Sequence, residues 1–293
     1  MEDARRGAGR WRTGGGSRAV GHGSAGATAI AGRIHPAAVI DRRAELDSSV
    51  EVGPGAVVGP RVRIGAGTVI GPYAVIEGET TIGARNRIFQ FASVGADPQD
   101  LKYRGEPSRL EIGDDNKIRE FTTVHRGTEG GGMVTRIGND VLLMNYVHVA
   151  HDCHIGDHSI IANSTELAGH CVLEEWVVTA GMCGVHQFSR IGAHAFVAAG
   201  SKIAQDVPPY AMVAGGDRAR LVGVNTTGLE RRGFSPATVA AIKGAFRTLF
   251  YGKLLRDEAI QRIMAEHGEA PEVRRLIEFI TGSQRGVVGR DRD

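Results

Sequence analysis

The sequence predicts a mainly β chain, a parallel coil of six-residue repeats followed by a small helical segment, and three observations carry that prediction. Aliphatic residues recur at every sixth position from Ile34 to Val94 without a miss, through Ile40, Leu46, Val52, Val58, Ile64, Ile70, Ile76, Ile82 and Ile88. A period of six is neither the helix period nor plain strand alternation, so it marks a repeat architecture. Glycine is abundant, at 42 of 293 residues, while aromatic residues make up only 5%, which suits a thin-walled coil better than a thick aromatic core. After Ile203 the six-residue period stops and stripes of helical spacing replace it.

Taken in order, residues 1 to 30 are rich in Gly and Arg and carry too little aliphatic residue to bury a core. They are expected to be a disordered extension. An organelle transit peptide is the alternative, and no apolar segment suggests a secretory signal. The coil is expected over residues 31 to 207. Its pattern resumes at Ile112, Ile118 and Val124, then in a new phase from Ile137 through Leu143, Val149, Ile155, Ile161, Leu167 and Leu173 to Ile203, broken only at Thr179. Gly53, Gly59, Gly65, Gly71, Gly83 and Gly95 each follow an inward aliphatic, where a corner would call for a permissive backbone. Two stretches lose the period, residues 96 to 110 and 125 to 136, and both read as loops thrown out of the coil. Such excursions tend to gather on a functional face. Pro208 and Pro209 should end the coil, since proline cannot serve an inner strand. Residues 208 to 293 are then a linker and a helical domain, with Ser235 as N-cap and Pro236 in the first turn.

Lys and Arg together number 35 against 33 Asp and Glu, so net charge gives no support for nucleic acid as a partner. No apolar run approaches the roughly 20 residues of an integral membrane segment. Three cysteines, Cys153, Cys171 and Cys183, form no CxxC pair and cannot all be bridged. A reducing, cytoplasmic location follows, with the thiols as small buried residues.

Six-residue faces that close on themselves give a triangular prism with 18 residues per turn and coils about 4.8 Å apart. In that register His148, His151 and His170 lie off the axial position, so none is a core histidine. A neutral imidazole suits removal of a proton from a hydroxyl, provided a neighbour fixes its tautomer, and Asp152 stands beside His151. Eighteen residues on from His151 is Gly169, whose N–H a reacting carbonyl could approach. A zinc site on His148, His151 and His154 remains open on the same residues, as do plain surface histidines.

The motifs QDLKYRGEPSRLEIGDDNKIRE (Gln99 to Glu120), TTVHRGT (Thr122 to Thr128), HVAHDC (His148 to Cys153), LAGH (Leu167 to His170), VHQF (Val185 to Phe188), AQDVPPY (Ala204 to Tyr210) and GLERRGFS (Gly228 to Ser235) resemble the UDP-N-acetylglucosamine 3-O-acyltransferase family. The resemblance covers residues 33 to about 280. It implies a left-handed parallel β-helix, a homotrimer, and transfer of an (R)-3-hydroxyacyl group from acyl carrier protein to the 3-hydroxyl of UDP-N-acetylglucosamine, the first step of lipid A synthesis. It also implies His151 as general base, Asp152 as its orienting group and Gly169 as oxyanion donor. Gln99, Asp100 and Lys102 match sugar and acyl contacts, and His148 and His170 match phosphate and sugar contacts. His186 and Gln187 match the wall beside the nucleotide, and Asn225 and Arg231, with Arg232 beside them, match nucleotide contacts.

No cofactor and no metal are implied. Ala199, with Phe196 before it, stands where added bulk would shorten the acyl chain. Thr227 replaces an acidic residue of the family and puts one ribose contact in doubt. A non-catalytic scaffold or a carbonic-anhydrase-like zinc protein is the alternative class. Sibling acyltransferases that carry a nucleotide-binding domain ahead of the coil fit less well. For the acidic carrier, a basic rim of Arg85, Arg87, Arg104 and Arg109 is expected.

Overall fold

The computed structural model describes residues 33–289, and the expected N-terminal extension lies outside the described residues. These residues form a left-handed parallel β-helix with four α-helices packed against it. Each hexapeptide contributes one short strand whose periodic aliphatic points inward. Ile76, Val94, Ile118, Leu143, Val149, Ile161 and Leu167 are fully buried along the axis. Burial of each such side chain is worth about 1.5–3 kcal/mol, so the axis is the main source of stability. Strands pair in parallel with the strand one coil on, as in Val57 with Val75 and His148 with Glu166, and the coil walls are sheets of nine, eight and ten strands. Thr179, the one break in the second series, is buried, with its hydroxyl 3.3 Å from that of Thr165.

The corners correct one expectation. Left-handed backbone falls three residues after the inward aliphatic, at Tyr73, Phe91, Phe121, Tyr146, Asp152, His170 and His194 among others, with φ between 56° and 61°. Of the expected glycines Gly95 shares it (φ 85°), whereas Gly53, Gly65 and Gly71 do not. They are small because a Cβ there would lie 2.7 to 2.8 Å from backbone of the next coil. Left-handed backbone costs a non-glycine residue about 1–2 kcal/mol. Stacking of successive corner residues offsets it, as in the ladder Tyr73, Phe91, Phe121, Tyr146, with ring centroids 5.0 to 5.7 Å apart.

Both excursions are narrower than the loss of period suggests. The first leaves after Ser93–Ala96 and rejoins at Arg109–Ile112, and the second leaves after Thr123–His125 and rejoins at Val134–Ile137. Partners across them are therefore offset, with Val94 beside Val124 and Val124 beside Val149.

The coil also continues past the prolines. Val207 bridges Ile191, and Val213 pairs with Val197 in the strand Ala211–Ala214. Pro208 and Pro209 occupy the corner before buried, left-handed Tyr210 (φ 67°), where the missing ladder donors are not needed. Beyond the strand Arg220–Val224 come α1 (Thr226–Arg231), α2 (Pro236–Phe246), α3 (Arg256–His267) and α4 (Pro271–Thr281). As the sequence predicts, the Ser235 hydroxyl caps α2, accepting from Thr238 N at 3.1 Å. Arg275 of α4 donates to Glu174 and Glu175 of the coil at 2.9 and 2.8 Å, and coil and helices form one compact unit.

Candidate active site

His151 and Asp152 stand at a corner between the strands His148–Val149 and His154–Ile155, directly beneath the second excursion. The Asp152 side chain is almost wholly buried, and its carboxylate takes three hydrogen bonds. Thr128 N donates to Oδ1 at 2.9 Å, the Thr128 hydroxyl donates to Oδ2 at 2.6 Å, and His151 Nδ1 lies 2.8 Å from Oδ2. Burial alone would raise the Asp152 pKa, but the hydrogen bonds from His151 and Thr128 outweigh it and hold the carboxyl below its ordinary value. An ionised carboxylate can only accept, so the His151 ring nitrogen that faces it, Nδ1, is the donor of that contact. His170 meets His151 edge-on with ring centroids 5.0 Å apart and stacks on Phe188 at 4.4 Å.

The imidazole of His151 lies over Gly169, where a Cβ would come within 2.7 Å of Nε2. Among the described residues the Gly169 N–H makes no backbone hydrogen bond. Both residues line an open cleft of about 700 Å³ with Gln99, His148, His186 and Leu167. His148 Nδ1 is 2.7 Å from the Thr123 hydroxyl, and burial lowers the His148 pKa. His186 Nδ1 sits between the Gln187 carbonyl oxygen at 3.0 Å and the Arg285 guanidinium at 3.3 Å.

Asp100 and Lys102 lie on the first excursion, where Asp100 accepts from Lys102 N at 2.9 Å and both charges act on the His170 imidazole. That loop is tied down by Arg126. Its nearly buried guanidinium donates to Gly95 O at 2.6 Å, to the Tyr103 hydroxyl at 2.8 Å and to Asp97.

Other expected site residues stand elsewhere on the same chain. Phe196, Asn225, Arg231 and Arg232 line a second pocket of about 520 Å³ on the ten-stranded sheet, away from the His151 cleft. The Asn225 amide caps α1 through Gly228 N at 3.2 Å and donates to His194 O at 2.9 Å. Arg232 lies over the Trp176 ring at 5.1 Å, whereas Arg231 is exposed. Ala199 is exposed at a corner and lines neither pocket.

One reading is corrected. His154 belongs to a different sheet from His148, and the zinc set of His148, His151 and His154 does not converge; among the described residues the donors that do converge are His151, Asp152 and His170. The arginines of the expected rim are partly exposed and have contacts within the chain. Arg85 pairs with Asp114 and Asp115, Arg109 with Glu111, Arg104 donates to Leu101 O, and Arg87 lies over Phe89.

Sequence reasoning missed Thr128, Arg126, Glu166, Lys202 and Asp217, the last three of which line the cleft. HRGT was among the quoted motifs, but nothing in its spacing pointed to Asp152. Glu166 had a signal: it lies one coil beyond His148 on the same face.

Known proteins carry the same arrangement of coil and helices. A family profile described as "Udp N-acetylglucosamine O-acyltransferase; Domain 2" matches residues 206–288, and one for the bacterial transferase hexapeptide (six repeats) matches residues 135–169. The chain is 52% identical over 259 residues, 87% of its own length and 98% of the relative's, to the acyl-[acyl-carrier-protein]--UDP-N-acetylglucosamine O-acyltransferase of Herminiimonas arsenicoxydans. It is 54% identical over 255 residues, 87% of this chain and 98% of the relative, to the enzyme of that name from Myxococcus xanthus. The solved UDP-N-acetylglucosamine O-acyltransferase of Moraxella catarrhalis superposes with a TM-score of 0.84 at 44% identity, covering 87% of this chain and 99% of that one.

Proposed function

The chain belongs to the UDP-N-acetylglucosamine O-acyltransferase family and is an O-acyltransferase, and we propose that it carries an (R)-3-hydroxyacyl group from acyl carrier protein to the 3-hydroxyl of UDP-N-acetylglucosamine, opening lipid A synthesis in the cytoplasm. The observation that carries this reading is the His151 imidazole, oriented by Asp152 and placed over Gly169 at the wall of the cleft.

His151 Nε2 takes the proton of the sugar 3-hydroxyl as its oxygen attacks the thioester carbonyl. The Gly169 N–H receives the developing oxyanion. The carbon–sulfur bond then breaks, and the imidazolium returns its proton to the departing thiolate, leaving an ester and a carrier thiol. Asp152 stabilises the imidazolium between the two transfers. Gln99, Asp100 and Lys102 on the first excursion hold sugar and acyl chain, and His148, His170, His186 and Gln187 line the path to the nucleotide.

Arg231, Arg232 and Asn225 serve the nucleotide across a subunit boundary. Their pocket lies on a different sheet from His151 within one chain, so the homotrimer that the family resemblance implies would join the two half-sites. Phe196 and Ala199 then bound the acyl groove from the neighbouring side.

The test is a transfer assay with UDP-N-acetylglucosamine and 3-hydroxyacyl carrier protein. His151→Ala should lose about 100-fold to 10,000-fold in kcat. Co-expressed His151→Ala and Arg231→Ala chains should recover activity, since mixed rings contain one intact composite site. Failure of that recovery, with each variant folded, rejects the shared site.

A further inference from the structure

The second excursion does more than leave the coil. Residues 126 to 133 fold back over the His151 corner, and their backbone is anchored at both ends: Arg126 N donates to Ala96 O at 3.2 Å and Gly127 N to Arg109 O at 3.2 Å, while Arg109 N donates to Met133 O at 2.9 Å. Thr128 is buried at 5% exposure and directs both its N–H and its hydroxyl at Asp152. Gly131 passes so close to the same carboxylate that a Cβ there would lie within 2.3 Å of both oxygens. From below, the Thr135 hydroxyl accepts from Asp152 N at 2.8 Å. The buried carboxylate thus has Thr128 and Gly131 over it and the His151 and His170 rings beside it.

We propose that Thr128 is a positioning residue for the acid–base pair: its two donors fix the Asp152 carboxylate so that His151 keeps its proton on Nδ1 and turns Nε2 to the cleft. This rests on His151 being the base. Thr128 touches no reacting atom and acts through Asp152 alone.

The hydroxyl donor is the separable part, because the N–H persists in any non-proline variant. Without it every state holding an ionised Asp152 is less favourable, while the state with a neutral His151 and a protonated Asp152 becomes easier to reach. The remaining carboxylate charge also attracts the imidazolium more strongly. Both effects raise the apparent pKa of the coupled pair. The acid limb of the rate profile therefore moves to higher pH. Other charged or titratable groups around the pair are His170, His148, His125, His154, Glu166, Arg126, Asp100 and Lys102, and all are unchanged by substitution at Thr128.

The experiment measures kcat and KM from pH 5 to 9 for wild type, Thr128→Val, Thr128→Ala, Thr128→Ser and His151→Ala. Valine and alanine should each lower kcat about tenfold at pH 7, leave KM for the sugar nucleotide within twofold, and move the acid limb of kcat/KM up by as much as about one unit. Serine, which restores the hydroxyl, should return both to wild type. Alanine removes the donor without adding bulk, so misfolding of the valine variant alone leaves the comparison intact. A wild-type kcat and pH profile in the alanine variant, or serine as impaired as alanine, overturns the positioning role. Full activity in His151→Ala would instead overturn the base assignment on which it rests.

Discussion

Gly169→Ala is the sharpest perturbation this site allows, because it moves the proposed base without removing any polar group. An alanine Cβ at position 169 would stand 2.5 Å from His151 Cε1, 2.7 Å from Nε2 and 3.1 Å from Nδ1. Carbon contacts settle near 3.5–4.0 Å, so the ring must shift by about 1 Å. It cannot shift freely, since Asp152 holds Nδ1 at 2.8 Å and His170 meets its face. Backbone strain does not enter, because Gly169 is absent from the left-handed residues. The N–H also survives the substitution, so any loss reports on ring position rather than on loss of that donor. A displacement of about 1 Å at a reacting centre can cost on the order of 100-fold, and the expected outcome is a fall of that size in kcat. KM for the sugar nucleotide and the thermal midpoint should change little. Initial rates with carrier-bound acyl donor, run beside thermal unfolding, decide the matter. Activity within threefold of wild type would refute the claim that His151 works from where it lies.

The other predictions address the loops, the corners and the rim. Arg126→Met strips the donors that hold Gly95 O, Tyr103 and Asp97, so the first excursion should loosen: tryptic cleavage at Lys102 or Arg104 should quicken, and KM for the sugar nucleotide should rise about tenfold or more. His194 is packed between Trp176 and Tyr210, where burial lowers its pKa to about 4. A base depressed in the fold contributes stability that is complete above the unfolded value near 6.5 and is lost as pH falls toward 4. Denaturant midpoints should therefore drop through that window, and His194→Phe should flatten the drop; an unchanged slope rejects the assignment. Exchange of Arg85 and Arg109 for Ser should leave KM for the carrier unaltered, because Asp114, Asp115 and Glu111 already compensate them. A rise of fivefold or more would restore those arginines to the carrier surface.

What could be read from the chain beforehand, and what could not, divides along one physical line. Where the coil is unbroken, a six-residue period fixes both the inward face and the partner one turn away. That is why adding 18 to His151 arrives at the glycine beneath its ring, and why Cys153 and Cys171 emerge as buried neighbours along one edge. The rule fails wherever chain leaves the coil. Asp152 finds Thr128 across the second excursion, at an interval that no repeat specifies, and Arg126 reaches Asp97 and Tyr103 across the turn that carries the first. The corner glycines failed for a different reason: glycine is required both by positive φ and by close backbone approach, and composition alone does not separate the two. Pro208 and Pro209 were misread because a proline that would interrupt a strand is at ease in the corner between two strands. The coil is therefore a ruler that places residues to within one coil spacing, but it sets no side chain's orientation. Orientation at His151 comes from the excursion that interrupts the ruler, so variation in residues 126 to 133 should change rate while leaving the coil intact.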